Sequence, residues 1–235
     1  MGKNKLIRYR DLQNYNRIFQ PPFNEVYRKN YYHKGNWAKE VFQNENPLVL
    51  ELGCGKGEYT IGLARLNPRS NFMGLDIKGD RIWKGVRIAH NEQIPNVAFV
   101  RTSIEFITSF YDRGEVDEIW ITFPDPQEKK RRSRKRLTAA RFLNLYRQIL
   151  KEGGSIHLKT DNDLLYQYTL RLLKFNNMAA IRQTEDLYGS WWSEEALSIQ
   201  TFYESRFREE GALINYLEFR LPVTREIKEL PDERS

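Results

Sequence analysis

Three groups of residues in this sequence could bind a small molecule, and each directly follows a short apolar run. The first is ELGCGKG at positions 51–57, where glycines let the backbone come close to a ligand and take up positive φ. The second is Asp76, 21 positions beyond Gly55, where a carboxylate can accept both hydroxyls of a ribose. The third is FPDP at 123–126, where two prolines fix the backbone and direct the Asp125 carboxylate outward. Together they indicate a site for a nucleoside-containing molecule beside an acidic side chain.

The glycine spacing argues against two common nucleotide sites. A dinucleotide fingerprint needs a small residue where Glu58 stands, and a P-loop needs Gly-Lys followed by Ser or Thr, which is missing. The spacing instead resembles the acidic-x-Gly-x-Gly-x-Gly motif of class I methyltransferases, which use S-adenosylmethionine (SAM). SAM has no phosphate, and the ammonium of its methionine end suits an acidic wall. The resemblance implies that SAM is bound by Glu51, Gly53, Gly55, Gly57, Asp76 and Asp125, with Thr102 or Ser103 at the adenine.

The elements that must position these residues alternate along the chain. Apolar runs predict strands over 48–52, 72–75, 97–100, 118–123, 155–158, 179–183 and 214–221, with helical spacing between most of them. This alternation is typical of an α/β fold, a doubly wound sheet with helices on both faces. The methyltransferase resemblance implies a Rossmann-like, seven-stranded sheet whose last strand is antiparallel. Ligands of such sheets bind at the carboxyl ends of the strands, where all three groups lie.

Positive charge is concentrated in two segments of a chain whose formal net charge is +7. Residues 1–40 hold nine Lys and Arg against three acids, and KKRRSRKR at 129–136 holds seven more. The remainder is therefore net acidic, which is the charge distribution expected of a protein that binds phosphates. We interpret 1–40 as a basic, aromatic N-terminal arm and 41–235 as a SAM-dependent methyltransferase domain. The arm's arginines could contact phosphates, or its aromatics could pack on the domain.

Composition excludes several other protein classes. A single cysteine, Cys54, rules out an intrachain disulfide. No apolar run approaches a membrane span, and the N-terminus lacks an apolar signal core. His33, His90 and His157 have no ligand spacing, so no metal site is predicted. We expect a soluble cytoplasmic protein, a monomer or homodimer without an obligatory protein partner.

The segments after Asp125 make the resemblance more specific. FPDPQEKKRR, LKTD at 158–161 and TFYESR at 201–206 follow one another as in the bacterial tRNA (guanine-N7-)-methyltransferase family, which this chain resembles from about residue 45 to 221. The resemblance implies methyl transfer from SAM to N7 of a tRNA guanine in the variable loop, giving 7-methylguanosine and S-adenosylhomocysteine. It implies that Asp125 is catalytic and that Lys129, Asp161, Thr201, Phe202, Tyr203, Glu204 and Arg206 bind the substrate. Lys130, Arg131, Arg132, Arg134, Lys135 and Arg136 would hold the tRNA backbone.

Two positions depart from the family pattern. Gln127 stands where tryptophan is usual, which removes a stacking surface. Thr102 stands where Asp or Asn is usual, which would move the adenine contact to Ser103 or to backbone groups. Because guanine N7 carries no proton, Asp125 is expected to position the base rather than to accept a proton from it.

Three other functions remain open from the residues. A SAM-dependent enzyme could act on another RNA base or site. The chain could also be a non-catalytic RNA-binding module, although the intact glycine loop with Asp76 and Asp125 favours an enzyme. A nicotinamide oxidoreductase is disfavoured by Glu58. Binding of SAM would distinguish the SAM-dependent enzyme from the other two.

Overall fold

The computed structural model describes residues 3–192, 194–222 and 224–231. Residues 1–2 of the expected arm, and residues 193, 223 and 232–235 of the expected domain, lie outside the described part of the chain. The strands are β1 Ile18–Phe19, β2 Leu48–Leu52, β3 Asn71–Asp76, β4 Val97–Arg101, β5 Val116–Thr122, β6 Leu150–Thr160, β7 Ala180–Thr184 and β8 Asn215–Arg220. The α-helices are α1 Lys3–Asp11, α2 Phe23–Val26, α3 Glu58–Leu66, α4 Gly79–Asn91, α5 Ile107–Phe110, α6 Ala140–Ile149, α7 Asp163–Phe175, α8 Glu195–Ser198 and α9 Phe202–Glu209. Shorter 3-10 turns span Leu12–Asn14, Ile104–Phe106 and Lys130–Lys135, and Trp37–Phe42 forms a π-helical turn.

The strands form one sheet in the order β1-β4-β3-β2-β5-β6-β8-β7. Neighbouring strands from β1 to β6 pair in parallel, and β8 runs antiparallel to both β6 and β7. The predicted α/β sheet with an antiparallel last strand is confirmed. The predicted number of strands is wrong, because the described sheet has eight strands and not seven. The additional strand, β1, has only two residues, too few to show the alternation by which a strand is predicted.

Both faces of the sheet are covered by helices. Along β2, Leu50 and Leu52 pack in one apolar cluster with α5, α6 and α7, while Val49 packs in a second cluster with α3 and α4. All five residues of β2 are buried, as expected for a central parallel strand that is covered on both sides. The alternation of side chains therefore directs Glu51 toward the face that α3 and α4 cover.

The N-terminal 40 residues pack on the sheet and its helices. Ile18 of β1 pairs with Phe99 of β4, and Leu12 is fully buried beside α4. Trp37 is also fully buried, and its indole Nε1 donates to the Phe110 carbonyl at 2.7 Å. Among the described residues, no helix has both the length and the apolar character needed to cross a membrane.

Candidate functional site

The carboxyl ends of β2 to β6 meet at one edge of the sheet, and this edge carries most of the predicted site. Three hydrogen bonds join neighbouring strand ends there. The Gly55 amide donates to Asp76 Oδ2 at 2.9 Å, and the Thr102 amide donates to the Asp76 carbonyl at 3.1 Å. The Phe123 amide donates to the Lys159 carbonyl at 2.8 Å. The sheet therefore brings the glycine loop, the acid at 76 and the turn before Asp125 to a common crevice.

The glycine loop owes its path to backbone conformation. Gly53, Gly55 and Gly57 have φ of 75°, 54° and 71°, which residues with a Cβ rarely adopt. A Cβ on Gly55 would meet no heavy atom closer than 4.0 Å, so the backbone there borders open space. A Cβ on Gly57 would lie 2.7 Å from the Phe99 ring, so this glycine also serves the packing of α3 on the sheet. The loop can therefore admit a ligand at Gly55 but not at Gly57.

Glu51 is buried beneath this loop. Its Oε2 accepts from the amide and the hydroxyl of Thr60, and its Oε1 accepts from the Thr122 hydroxyl at 2.7 Å. Burial raises the pKa of Glu51 to about 7; the hydrogen bonds from Thr60 and Thr122 oppose this shift, and the nearby Asp76 carboxylate adds to it. The loop thus lies over a carboxyl group with neutral partners, which a cationic ligand would stabilise in its ionised form.

Asp76 fastens the glycine loop to the start of α4. In addition to the Gly55 amide, its carboxylate accepts from the Lys78 amide at 2.8 Å. Its side chain is nearly buried, and Thr102 lies directly beside it at the end of β4. Ser103 precedes the Ile104–Phe106 turn, but its hydroxyl forms no capping hydrogen bond there. Both candidates for an adenine contact thus lie next to the expected ribose acid.

The turn after β5 holds Asp125 at the surface. Phe123 and Gln127 have φ of 47°, a left-handed conformation that is uncommon outside glycine and that lets the chain turn sharply on both sides of the aspartate. Asp125 is exposed, and its Oδ1 accepts from the Gln127 amide at 3.0 Å. Its Oδ2 has no hydrogen bond within the described chain. The carboxylate is therefore fixed in direction while one oxygen faces outward.

The basic segment, residues 129–136, separates into two parts. Lys130–Lys135 form a 3-10 turn at the surface, in which all five cations are exposed. Arg136 is 5 % exposed, and its guanidinium donates to the carbonyls of Pro126 and Gln127 at 3.0 and 3.3 Å and lies over the Tyr168 ring. Burial lowers the pKa of Arg136. The structure therefore places Arg136 beneath the Asp125 turn, which it supports, and apart from the exposed cations.

The TFYESR motif begins α9 beside the glycine loop. Thr201 and Glu204 form a capping box, in which each side chain bonds the backbone amide of the other residue. Phe202 and Tyr203 are exposed, and the ammonium of Lys56, in the glycine loop, lies 4.0 Å from the centre of the Phe202 ring. Arg206 points to solvent and pairs with Glu210. The motif therefore presents two aromatic rings next to the expected SAM site.

Glu204 is placed differently from its exposed neighbours. It is fully buried, and its Oε1 lies 2.9 Å from the ammonium of Lys159 and accepts from the Tyr188 hydroxyl at 2.7 Å. Burial lowers the pKa of Lys159, while the carboxylate of Glu204 acts in the opposite direction. Asp161, two residues after Lys159, is half-buried at the end of β6, and burial raises its pKa. The sequence did not identify Lys159; a lysine within the apolar run IHLKT was the available signal.

One cavity of the described residues lies away from this edge. It has a volume of about 380 Å³ and is lined by the arm and the C-terminal half of α4, including Arg17 and His90. It contains no residue of the glycine loop or of the Asp125 turn. No three His, Cys, Asp or Glu side chains in the described ranges lie close enough together to hold a metal ion.

Comparisons with known proteins agree on the family and the fold. Residues 45–216 match the model of a family described as "Putative methyltransferase". The chain is 46 % identical to the tRNA (guanine-N(7)-)-methyltransferase of Bacteroides fragilis (strain YCH46) over 99 % of its own length and 91 % of the relative. It is 47 % identical to the enzyme of that name from Porphyromonas gingivalis (strain ATCC BAA-308 / W83), covering 89 % and 86 %.

Two solved structures resemble the chain in fold. One is the 16S rRNA methyltransferase KamB, with a TM-score of 0.59 at 15 % identity, covering 78 % of this chain and 92 % of that one. The other is the 16S rRNA (adenine(1408)-N(1))-methyltransferase from Catenulisporales acidiphilia, with a TM-score of 0.54 at 18 % identity, covering 84 % and 94 %. At these identities the likeness supports the fold alone.

Proposed function

The chain belongs to the tRNA (guanine-N(7)-)-methyltransferase family, and on that premise we propose that it transfers a methyl group from SAM to N7 of a guanine in tRNA. The observation that carries the proposal is the crevice at the strand ends. A glycine loop over a buried acid lies there beside an exposed, oriented Asp125, and the turn that holds Asp125 continues into a surface of exposed cations.

The glycine loop fits the methionine end of SAM. The open space at Gly55 admits a ligand, and the buried carboxyl of Glu51 favours a positive charge above it. Asp76 and the Thr102–Ser103 backbone are the groups that would meet the ribose and the adenine. When bound, SAM supplies an electrophilic methyl group on its sulfonium sulfur.

Asp125 would bind the guanine by its Watson–Crick edge. A carboxylate accepts hydrogen bonds, and guanine presents two donors on that edge, N1–H and the exocyclic amine. Its outward-facing oxygen can accept one of them while the Gln127 amide keeps the side chain in place. N7, on the opposite side of the base, carries a free lone pair and no proton, so alignment and not proton removal is the task of the protein. Asp125 and the half-buried Asp161 would also stabilise the positive ring that methylation produces.

The exposed cations after Asp125 would bind the phosphates of the tRNA. The Lys130–Lys135 turn lies directly beyond the Asp125 turn, so a base held by Asp125 has its own backbone next to these side chains. Lys129 begins this surface, and Arg136 supports it from below through Pro126 and Gln127. Exposed Phe202 and Tyr203 offer rings on which a base could stack, in place of the tryptophan that Gln127 replaces.

The experiment is methyl transfer from labelled SAM to unmodified tRNA, followed by nucleoside analysis. We expect 7-methylguanosine from the native protein, and a loss of at least roughly tenfold in kcat/KM for Asp125→Asn, because the amide nitrogen that replaces the second carboxylate oxygen cannot accept a guanine donor while the first oxygen stays bonded to the Gln127 amide. Asp112→Asn is the matched control, since Asp112 is an exposed acid on the loop before β5, at the opposite edge of the sheet. With SAM at saturation, the rate should not follow a single deprotonation near neutral pH, because N7 carries no proton.

Each alternative function predicts a different result. Another methylated nucleoside would keep the SAM site and refute the assignment of N7. Absence of transfer together with absence of SAM binding would leave an RNA-binding module. An Asp125→Asn variant with native kcat/KM would remove Asp125 from the substrate site.

A further inference from the structure

Lys159 connects the two halves of the substrate site. It lies at the end of β6, where it pairs with Thr122 on one side and with Tyr216 on the other. Its carbonyl accepts from the Phe123 amide at 2.8 Å, two residues before Asp125. Its side chain is fully buried and extends toward α8 and α9.

The three protons of the Lys159 ammonium have three acceptors in the segment that precedes and begins α9. They are the carbonyls of Leu197 and Ile199, at 2.9 and 3.1 Å, and the carboxylate of Glu204, at 2.9 Å. An ammonium has three donors and no acceptor, so this set satisfies it completely. The 194–204 segment is therefore held to β6 by a single side chain at three points.

The held segment lies against α3, the helix that follows the glycine loop. The Phe202 amide donates to Glu58 Oε2 at 2.9 Å, and the Tyr59 hydroxyl donates to the Ala196 carbonyl at 2.6 Å. Ile199 occupies the space above Gly62 of α3, where an added Cβ would meet its Cγ2 at 2.7 Å. Little of the segment is regular secondary structure, since α8 has only four residues. Its position over α3 thus depends on these side-chain contacts and on the buried Leu197, and not on hydrogen bonds of regular structure.

We propose that Lys159 is a positioning residue that fixes the 194–204 segment, and with it Phe202 and Tyr203, at the distance from Asp125 that the tRNA guanine requires. The proposal rests on the function proposed above, but Lys159 itself touches neither substrate nor cofactor. Glu204 takes part in the same arrangement, because its buried carboxylate both pairs with the Lys159 ammonium and caps α9. Loss of the Lys159 ammonium should therefore raise the KM for tRNA and leave the affinity for SAM unchanged.

The test uses Lys159→Met, which keeps the length of the side chain and removes its donors. We expect the KM for tRNA to rise at least tenfold, the Kd for SAM to stay within twofold, and amide hydrogen exchange over residues 195–209 to accelerate at least tenfold. Lys159→Arg should retain part of the native KM. The matched control is Lys151→Met, which removes a lysine from the other end of β6, where it pairs with Asp117 at the surface.

A double variant separates positioning from stability. Lys159→Met leaves the Glu204 carboxylate buried without its counter-charge, and Lys159→Met/Glu204→Gln removes that charge. We expect the double variant to regain most of the lost melting temperature and to keep the raised KM for tRNA. Recovery of both would assign Lys159 to stability alone and overturn the proposal. Unchanged exchange over 195–209 in Lys159→Met would overturn it as well, and this readout needs no tRNA, so it stands even if the native protein makes no 7-methylguanosine.

Discussion

Replacing Arg131, Arg132 and Arg134 by glutamine should weaken tRNA binding chiefly through its dependence on salt. All three side chains are exposed on the turn that follows Asp125. Each phosphate contact that a cation makes contributes roughly 0.7 to 0.9 to the slope of log K against log salt. Loss of three contacts should therefore lower the slope by roughly 2 to 3, and the native protein should lose roughly 20- to 40-fold more affinity than the variant between about 50 and 200 mM salt.

The assay is tRNA binding by fluorescence anisotropy at four salt concentrations, with SAM affinity measured by calorimetry alongside. The matched control replaces Lys39, Arg113 and Lys174, which are also exposed but lie toward the amino-terminal edge of the parallel strands. It removes the same formal charge and should leave the slope nearly unchanged. An unchanged slope in the first variant, or an equal change in both, would refute the assignment of this turn to the tRNA backbone.

Arg136 supplies an internal comparison within the same run of cations. Its guanidinium is buried and bonded to two carbonyls, so Arg136→Gln should leave those acceptors unsatisfied at a cost of about 1–3 kcal/mol. We expect a melting temperature lower by several degrees and a salt slope close to the native one. A slope change as large as one third of that of the triple variant, with native stability, would show that Arg136 acts as the exposed cations do.

Three further predictions concern stability. Burial raises the pKa of Glu51 to about 7, so the contribution of this residue to stability is complete below about pH 4.5 and is lost as pH rises through 7. Between these two pH values, the melting temperature should fall more steeply in the native protein than in Glu51→Gln. Parallel curves for the two proteins would contradict this. Gly55→Ala and Gly57→Ala both strain a positive φ, but only the added Cβ at position 57 meets the Phe99 ring. Denaturant unfolding should therefore show a free energy of unfolding that falls by about 1 kcal/mol or more further in Gly57→Ala than in Gly55→Ala. Equal losses in the two variants would count against this. Deletion of residues 1–20 removes β1 and its buried side chains and should lower the melting temperature, whereas an unchanged thermal melt would mean that the arm does not stabilise the domain.

The sequence predicted those elements whose pattern is local. β2 and the second half of β5 are short, mostly apolar runs, and they are followed by the glycines and prolines that also mark the site. The antiparallel last strand came from resemblance to methyltransferases, because strand pairing is decided by contacts distant in sequence. β1 was missed for the same reason, since two residues become a strand only when β4 lies beside them.

Within the site, the sequence predicted which segments meet but not which way individual side chains turn. Arg136 is the last of seven cations within eight positions, and nothing local distinguishes it from Arg134. It turns inward because the carbonyls of Pro126 and Gln127 lie there, and they do so only once the Asp125 turn has formed. Glu204 was predicted at the substrate for its motif, whereas its burial depends on Lys159, more than 40 positions earlier.

The two buried glutamates of the site show why their partners matter more than their burial. Both are almost inaccessible, yet Glu204 has the ammonium of Lys159 as a counter-charge, while the carboxyl of Glu51 accepts hydrogen bonds from the neutral groups of Thr60 and Thr122. Burial therefore raises the pKa of Glu51 to about 7, so that near neutral pH its charge is poised between two states. A cation bound above the glycine loop would favour the ionised state, and by linkage ionised Glu51 would favour the cation. Among the described residues, no lysine ammonium contacts the Glu51 carboxyl, which therefore suits a ligand that carries its own positive charge. The lysine beside Glu204 suits a segment that must stay in place.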